Sequence, residues 1–266
     1  IAWTPNSSRA HSSTLPTYDS DMQELNFVGN TYGDLTITAN WGSSGIWVQS
    51  TVYSGNPSSL PDDGSRPDLD PNGRSFDANQ LKEALEYAAT LSSASVIMLE
   101  NATASDIINL NSGSITLYSG HVVGDPQFTA TLKNAGTPTS QTMNITDNVT
   151  FTLKSGAIRF DSTQTGRGIF VWDNAHFNVN GGSIEYLTAS TATPLICGSQ
   201  LAHITITGGT IKCNQQVIYR GIVNISGGEI LSVDAEAIFA NQSSGIITIT
   251  GGTITSQTTV SCYTIT

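Results

Sequence analysis

The sequence predicts an all-β protein, a solenoid of short stacked strands preceded by one helix and a small β element. Three observations carry that expectation. First, a phrase recurs: ITLYSG from Ile115, FTLKSGAI from Phe151, FNVNGGSI from Phe177, ITITGGTI from Ile204, VNISGGEI from Val223 and ITITGGTI from Ile247. Its closing glycines are Gly120, Gly156, Gly182, Gly209, Gly228 and Gly252, and the last five stand 26, 27, 19 and 24 residues apart. Self-similarity at such a period marks stacked repeats, each burying its apolar face against its neighbours. Second, each phrase alternates apolar and polar residues before its Gly, the period of a strand. Third, only 12% of the residues are charged, about half the usual share, and Thr, Ser, Asn and Gly fill the polar positions.

At the start of the chain, residues 1–60 hold two strand-like runs, Leu35–Ala39 and Ile46–Tyr53, with a Gly42–Gly45 turn between them, which reads as a small β element or arm. Its aromatics Tyr32, Trp41, Trp47 and Tyr53 are available to pack on the repeats. The stretch 56–75 has no apolar periodicity and is punctuated by Pro and Gly, so 61–76 is expected to be a loop or linker. A helix is predicted near Asp77 to Leu91, with Leu81, Ala84, Leu85, Ala88 and Ala89 on one face, Asp77 as N-cap and Gln80 three residues on. SVIML at 95–99 reads as a buried strand, and residues 77–266 form one unit.

Aligned on the closing Gly, the repeats form columns. Ile158, Ile184, Ile211, Ile230 and Ile254 stand two residues later; Phe160, Tyr186, Cys213, Ser232 and Ser256 stand four later. Phe151/Leu153, Phe177/Val179, Ile204/Ile206, Val223/Ile225 and Ile247/Ile249 supply two more inward columns. A further strand comes after each phrase, in GIFV from Gly168, PLIC from Pro194, VIY from Val217, AIF from Ala237 and VSCY from Val260. Like residues stack because parallel strands in successive repeats pair about 4.8 Å apart.

A helix, then a buried VIML strand, then repeats of the form I-T-I-T-G-G-T-I resemble the right-handed parallel β-helix of pectin-lyase-like proteins. In particular the chain resembles the Thr- and Gly-rich versions in surface proteins and adhesins of Gram-positive bacteria. The resemblance covers about residues 77–266. It implies a right-handed solenoid whose helix caps its N-terminal end, and an extracellular, secreted or surface-attached protein that adheres to glycans or a host surface. The phrase is specific for fold and nearly silent about activity.

The remaining features bound the chemistry. A net charge of −11 disfavours nucleic acid, whose phosphates need a basic face, and anionic lipid likewise. No apolar run reaches bilayer length. The opening IAWTPNSS lacks the pattern of a signal peptide, as a mature or trimmed start would. Cys197, Cys213 and Cys262 match no metal spacing and read as small buried residues. Sequons at Asn6, Asn101, Asn144, Asn148, Asn224 and Asn241 are of the kind that an Asn- and Thr-rich chain produces by chance.

Four constellations could carry function. Asp68-Leu-Asp70-Pro-Asn72-Gly73 opens like a calcium loop with Asp77 downstream, although Asn79 stands where the closing Glu is expected; the competing reading is a plain turn. Arg159, Glu185 and Lys212 form a charge column on adjacent repeats, read as a stabilising ladder. The outward positions Thr152/Lys154, Asn178/Asn180, Thr205/Thr207, Asn224/Ser226 and Thr248/Thr250 are too irregular for an ice-binding array and suit a solvated sheet or a shallow sugar surface. Trp172 and Tyr118 are the candidate stacking platforms for sugars. Asp147, Asp161, Asp173, Glu185, Glu229, Asp234 and Glu236 fall in no familiar catalytic motif, and His176 and His203 read as isolated, so no catalytic residue is assigned.

The expected function is adhesion or glycan binding by an extracellular β-helix module, with no cofactor beyond calcium at most. Two alternatives stand beside it. One is a structural subunit associating end to end, because TVSCYTIT stops inside a repeat with no polar cap. The other is a polysaccharide lyase or hydrolase.

Overall fold

The computed structural model describes residues 17–19, 24–26, 45–61, 65–133, 141–161, 166–187, 194–240, 245–256 and 261–262. The chain divides into two compact units, Ile1–Gly42 with Asp62–Ser65, and Ser43–Pro61 with Arg66–Thr266. In the smaller unit Thr17–Asp19 pairs antiparallel with Glu24–Asn26. The expected strand Leu35–Ala39 and its Gly42–Gly45 turn fall outside the described residues, except for Gly45.

Among its described residues the larger unit is all-β apart from one helix, and its repeats feed three parallel runs of strands. The first run is Ser93–Met98, Ser114–Ser119, Thr150–Leu153, His176–Val179, His203–Ile206 and the front halves of Ile222–Ser232 and Ile246–Thr255. The second is Ala102–Ala104, Thr129–Leu132, Ala157–Phe160, Ser183–Tyr186, Thr210–Cys213 and the back halves of those two long strands. The third is Ile108–Leu110, Met143–Ile145, Ile169–Val171, Ile196–Gly198, Ile218–Tyr219, Ile238–Ala240 and Ser261–Cys262.

The predicted columns are the observed register. Ile158 pairs with Ile184, Ile184 with Ile211, Ile211 with Ile230 and Ile230 with Ile254. Phe151 lies on Phe177, with ring centroids 6.0 Å apart and planes 7° from parallel. These inward residues are fully buried as far as Ile230 and Ile247, whereas Ile249 and Ile254 on the outermost long strand are only partly buried. Each buried Ile, Leu or Phe stabilises the stack by about 1.5–3 kcal/mol. The repeating Gly is sterically required: Gly182 has φ +70°, and a Cβ there would lie 2.3 Å from the Gly156 carbonyl oxygen. The small pair lets each turn nest directly on the last.

The helix, α1, spans Leu81–Thr90 and buries the predicted face, Leu81, Ala84, Leu85, Ala88 and Ala89. It packs on the first strand of each run. It begins four residues later than predicted, and Asp77 is not its N-cap. A turn intervenes, in which the Gln80 N–H donates to the Asp77 carbonyl and the Asp77 N–H donates to Gln80 Oε1, both at 2.9 Å. Half of the expected capping box therefore exists, used one turn early.

The expected division into 1–60, 61–76 and 77–266 is replaced by a different one. Ile46–Gln49 pairs antiparallel with Ser93–Met98, and Arg74–Phe76 pairs antiparallel with Ile46–Gln49, extending the first run. Tyr53 and Leu69, from the chain between them, pack on the outer face of that run. Tyr53 meets Tyr118 edge to face at 5.2 Å, and Trp47 and Leu69 pack on the same cluster.

Candidate functional site: an aromatic and arginine face

The third run presents alternate residues outward. In Ile169–Val171 the flanking Ile and Val are buried and Phe170 points out; the register then aligns Phe170 with Cys197, Cys197 with Tyr219 and Tyr219 with Phe239. Phe170, Tyr219 and Phe239 are half-buried, and the Tyr219 and Phe239 rings stack at 5.7 Å with planes 7° apart. Trp172, one repeat edge away, is 44% exposed and meets Phe170 edge to face at 5.0 Å. Arg167 lies over the Phe170 ring at 5.7 Å and Arg220 over the Tyr219 ring at 4.6 Å. Between them a cavity of about 570 Å³ is floored by Cys197 and Gly198 and edged by Asp173 and Ser199.

Local backbone chemistry builds this face. Arg220 has φ +67°, in the left-handed region that a side chain-bearing residue adopts at a cost. Its N–H donates to the Phe239 carbonyl at 2.8 Å, and Gly198 makes room for it, since a Cβ on Gly198 would stand 2.8 Å from the Arg220 carbonyl oxygen. Asp173 accepts from the Ser199 hydroxyl and from the Leu201 N–H (3.0 Å), which hold its carboxyl below the ordinary value. Burial pushes the Cys197 thiol up, while the two guanidinium groups pull it the other way. Arg220 Nε is buried and, among the described residues, without a hydrogen-bond partner.

The other sequence candidates are placed differently. Tyr118 is 9% exposed beneath Tyr53 and offers no stacking surface; burial raises its hydroxyl. Asp68 is spent on the fold. Its Oδ1 accepts from Arg66 Nε (2.9 Å), and its Oδ2 accepts from Arg66 Nη2 (2.7 Å) and the Tyr53 hydroxyl (2.7 Å). Burial alone would raise this carboxyl, but the bonds from Arg66 and Tyr53 outweigh it and hold it below its usual value. Asp70 accepts from the Asn72 N–H (2.9 Å) and the Thr51 hydroxyl (2.9 Å), an Asx turn. With Asp77 in the turn before α1, the stretch has the chemistry of a turn and an ion pair. A cation at Asp68 would have to displace Arg66. Among the described residues no three His, Cys, Asp or Glu side chains gather as a metal-holding group.

Arg159 and Glu185 pair at 3.1 Å, and Lys212 approaches Glu185 at 4.0 Å, on neighbouring outward positions of the second run. Arg159 and Glu185 edge a shallow groove of about 540 Å³ with Lys133 and Asp161. Glu185 is neutralised from both sides, which suits a ladder better than acid–base work. His176 and His203 are not isolated: they are register partners with rings stacked at 4.5 Å. The outward Thr and Asn residues bond along the ladder, Asn178 Nδ2 to Thr152 Oγ1 at 3.3 Å and the Thr207 hydroxyl to Asn180 Oδ1 at 3.0 Å. Cys197 and Cys213 are buried and free, and burial pushes the Cys213 thiol up to about 11; the Cys262 side chain falls outside the described residues.

No protein-family model, curated protein or solved structure matches this chain. Among the described residues no helix is long and apolar enough to cross a membrane.

Proposed function

We propose that this chain is a right-handed parallel β-helix module of a bacterial surface or secreted protein, binding glycan through the aromatic face of the third run. The three parallel runs, each gaining one strand per repeat, support closure into a helix of strands. Crossover connections between parallel strands are right-handed in nearly all cases. The observation that carries the functional reading is the outward file of Phe170, Tyr219 and Phe239 with Trp172 at its edge. Four aromatic rings on one outer face form an apolar platform, and sugar rings present matching C–H faces. A flat, partly wet surface of this kind fits a binding role rather than an enclosed reaction.

The test is affinity electrophoresis of the 266-residue chain through gels containing a panel of polysaccharides, beside Trp172→Ala and a Trp172→Ala, Tyr219→Ala pair. Retardation by at least one polymer, weakened in the single variant and lost in the double, is expected. Retardation by none, or full retention in a double variant with wild-type circular dichroism, overturns the reading. A second reading, self-association, draws on Ile249 and Ile254, which the last long strand leaves partly uncovered. Because α1 covers the first strands, that association would be tail to tail or with further repeats.

A further inference from the structure

We infer that the notch over Cys197 accepts the charged group of an anionic sugar residue, clasped between Arg167 and Arg220. This rests on the glycan reading and assigns its ligand class. Cys197 is the small residue between Phe170 and Tyr219 in the file, so its position is a gap. Its walls are Phe170 and Tyr219, on strands two ladder steps apart, about 9.6 Å. That width admits a single sugar ring or its substituent. Each wall carries its own guanidinium, Arg167 over Phe170 and Arg220 over Tyr219. A ligand entering the gap meets a ring face and a cation from either side.

The electrostatics point the same way. Two other arginines are paired with carboxylates, Arg66 with Asp68 and Arg159 with Glu185, and Arg74 lies alone over the Phe76 and Tyr87 rings, so among the described residues only the third run brings two carboxylate-free arginines to one cavity. Asp173, the acidic residue that lines the cavity, accepts at Oδ1 from the Ser199 hydroxyl and the Leu201 N–H and pairs with neither arginine among the described residues. Arg220 Nε is buried and, among the described residues, without a hydrogen-bond partner, which is costly for a charged donor and leaves the guanidinium unsatisfied by the fold. The backbone of Arg220 is held in a left-handed conformation by the Phe239 carbonyl and the space over Gly198, so the cation is positioned before any ligand arrives. All this sits on a chain of net charge −11, whose general field repels polyanions. Affinity for an anionic glycan must therefore come from this local pair. Carboxylate and sulfate share the oxyanion geometry that guanidinium groups bond in a fork.

Matched polymers test it: hyaluronan oligosaccharides against their carboxyl-reduced form, and dextran sulfate against dextran, by isothermal titration. The charged member of at least one pair should bind about tenfold or more tightly than its neutral partner, and the pair identifies carboxylate or sulfate. Arg220→Gln and Arg167→Gln should each bring the charged ligand down toward the neutral one. Arg159→Gln, on the other face, should leave both unchanged. If charged and neutral members bind equally, or Arg220→Gln keeps the preference with its melting temperature intact, the charge inference fails and the glycan reading survives. Binding of none of the four overturns this inference, and with a silent polysaccharide panel the glycan reading falls too.

Discussion

Two outward ladders in this chain carry arginines, and they treat them in opposite ways. On the second run Arg159 stands beside Glu185 and Lys212, so cation, anion and cation alternate across adjacent strands. On the third run Arg167 and Arg220 lie over aromatic rings, and among the described residues neither is paired with a carboxylate. The strand pairing is the same parallel register in both places. The first arrangement satisfies itself: each charge has a partner from the fold, and the ladder gains about 0.2–1 kcal/mol per pair. The second leaves donors unspent. A stack of near-identical repeats thus separates stability from recognition by where it places its few charges, since the repeat phrase itself supplies the core everywhere.

The largest expected effect breaks both ladders together. Ile211 is fully buried between Ile184 and Ile230. In Ile211→Asp an unpaired carboxylate would enter the core at a cost of several kcal/mol, roughly the whole stability of a typical domain. Loss of the β circular dichroism signal at room temperature is expected. A variant that melts within a few degrees of wild type would mean that this column is not the shared core of the two faces.

A smaller effect is expected from the chain's buried arginine pair, the extreme case of the self-satisfied kind. Arg66 and Asp68 are nearly enclosed, with side chains 6% and 10% exposed. Arg66→Met should cost about 3 kcal/mol, because the stranded carboxylate loses both guanidinium bonds and its cationic partner while keeping the Tyr53 hydroxyl and its own backbone N–H. The pH dependence has a defined sign. Asp68 is held below its ordinary value, so its contribution is complete above the unfolded carboxyl pKa of about 3.9 and is lost as pH falls through the lower, folded value. Denaturant titrations at neutral pH and in acid should show the gap between wild type and variant closing in acid. A gap that stays constant down to strongly acidic pH would remove the ion pair from the account.

What the sequence could reveal was limited to what a repeat can announce. The columns through Ile211 and the Arg159–Glu185–Lys212 ladder were readable because alternation and the closing Gly fix register within each phrase. The sheet extension through Ile46–Gln49 and Arg74–Phe76 was not, because those strands pair antiparallel and lie outside the phrase. That omission also hid the burial of Tyr118, whose cover, Tyr53, comes from the same segment. The aromatic face lay in between. Aligning GIFV, PLIC, VIY and AIF on Ile169, Ile196, Ile218 and Ile238 puts Phe170, Cys197, Tyr219 and Phe239 in one file, a signal present in the sequence. Trp172 was found by its type alone. Arg167 and Arg220 sit outside the strands, where loop length varies between repeats, and only the folded backbone brings them to the same notch. The calcium-like spacing has a related blind spot: a motif defined by Asp68, Asp70 and Asn72 says nothing of Arg66, two residues before Asp68, which pairs with it.

The smallest effect sharpens the comparison most. Glu185 is the only anion in its column, yet Arg159 is 63% exposed and Lys212 40%. Pairs so open to water lose most of their attraction to solvent screening, so Glu185→Gln should change stability by no more than about 1 kcal/mol, less at high salt. It keeps the side-chain shape and frees two cations on the second run. If unpaired arginines on any outward ladder sufficed to bind anionic glycan, this variant would gain affinity. If the aromatic walls and the positioned Arg220 are what matter, it would gain nothing and retain whatever the third run binds. Melting curves and titration with the same charged oligosaccharide separate these outcomes. Unchanged binding with a near-unchanged melting temperature is expected. Loss of binding in a folded Glu185→Gln protein would move the site to the groove lined by Lys133, Arg159 and Asp161 and reverse the roles assigned to the two ladders.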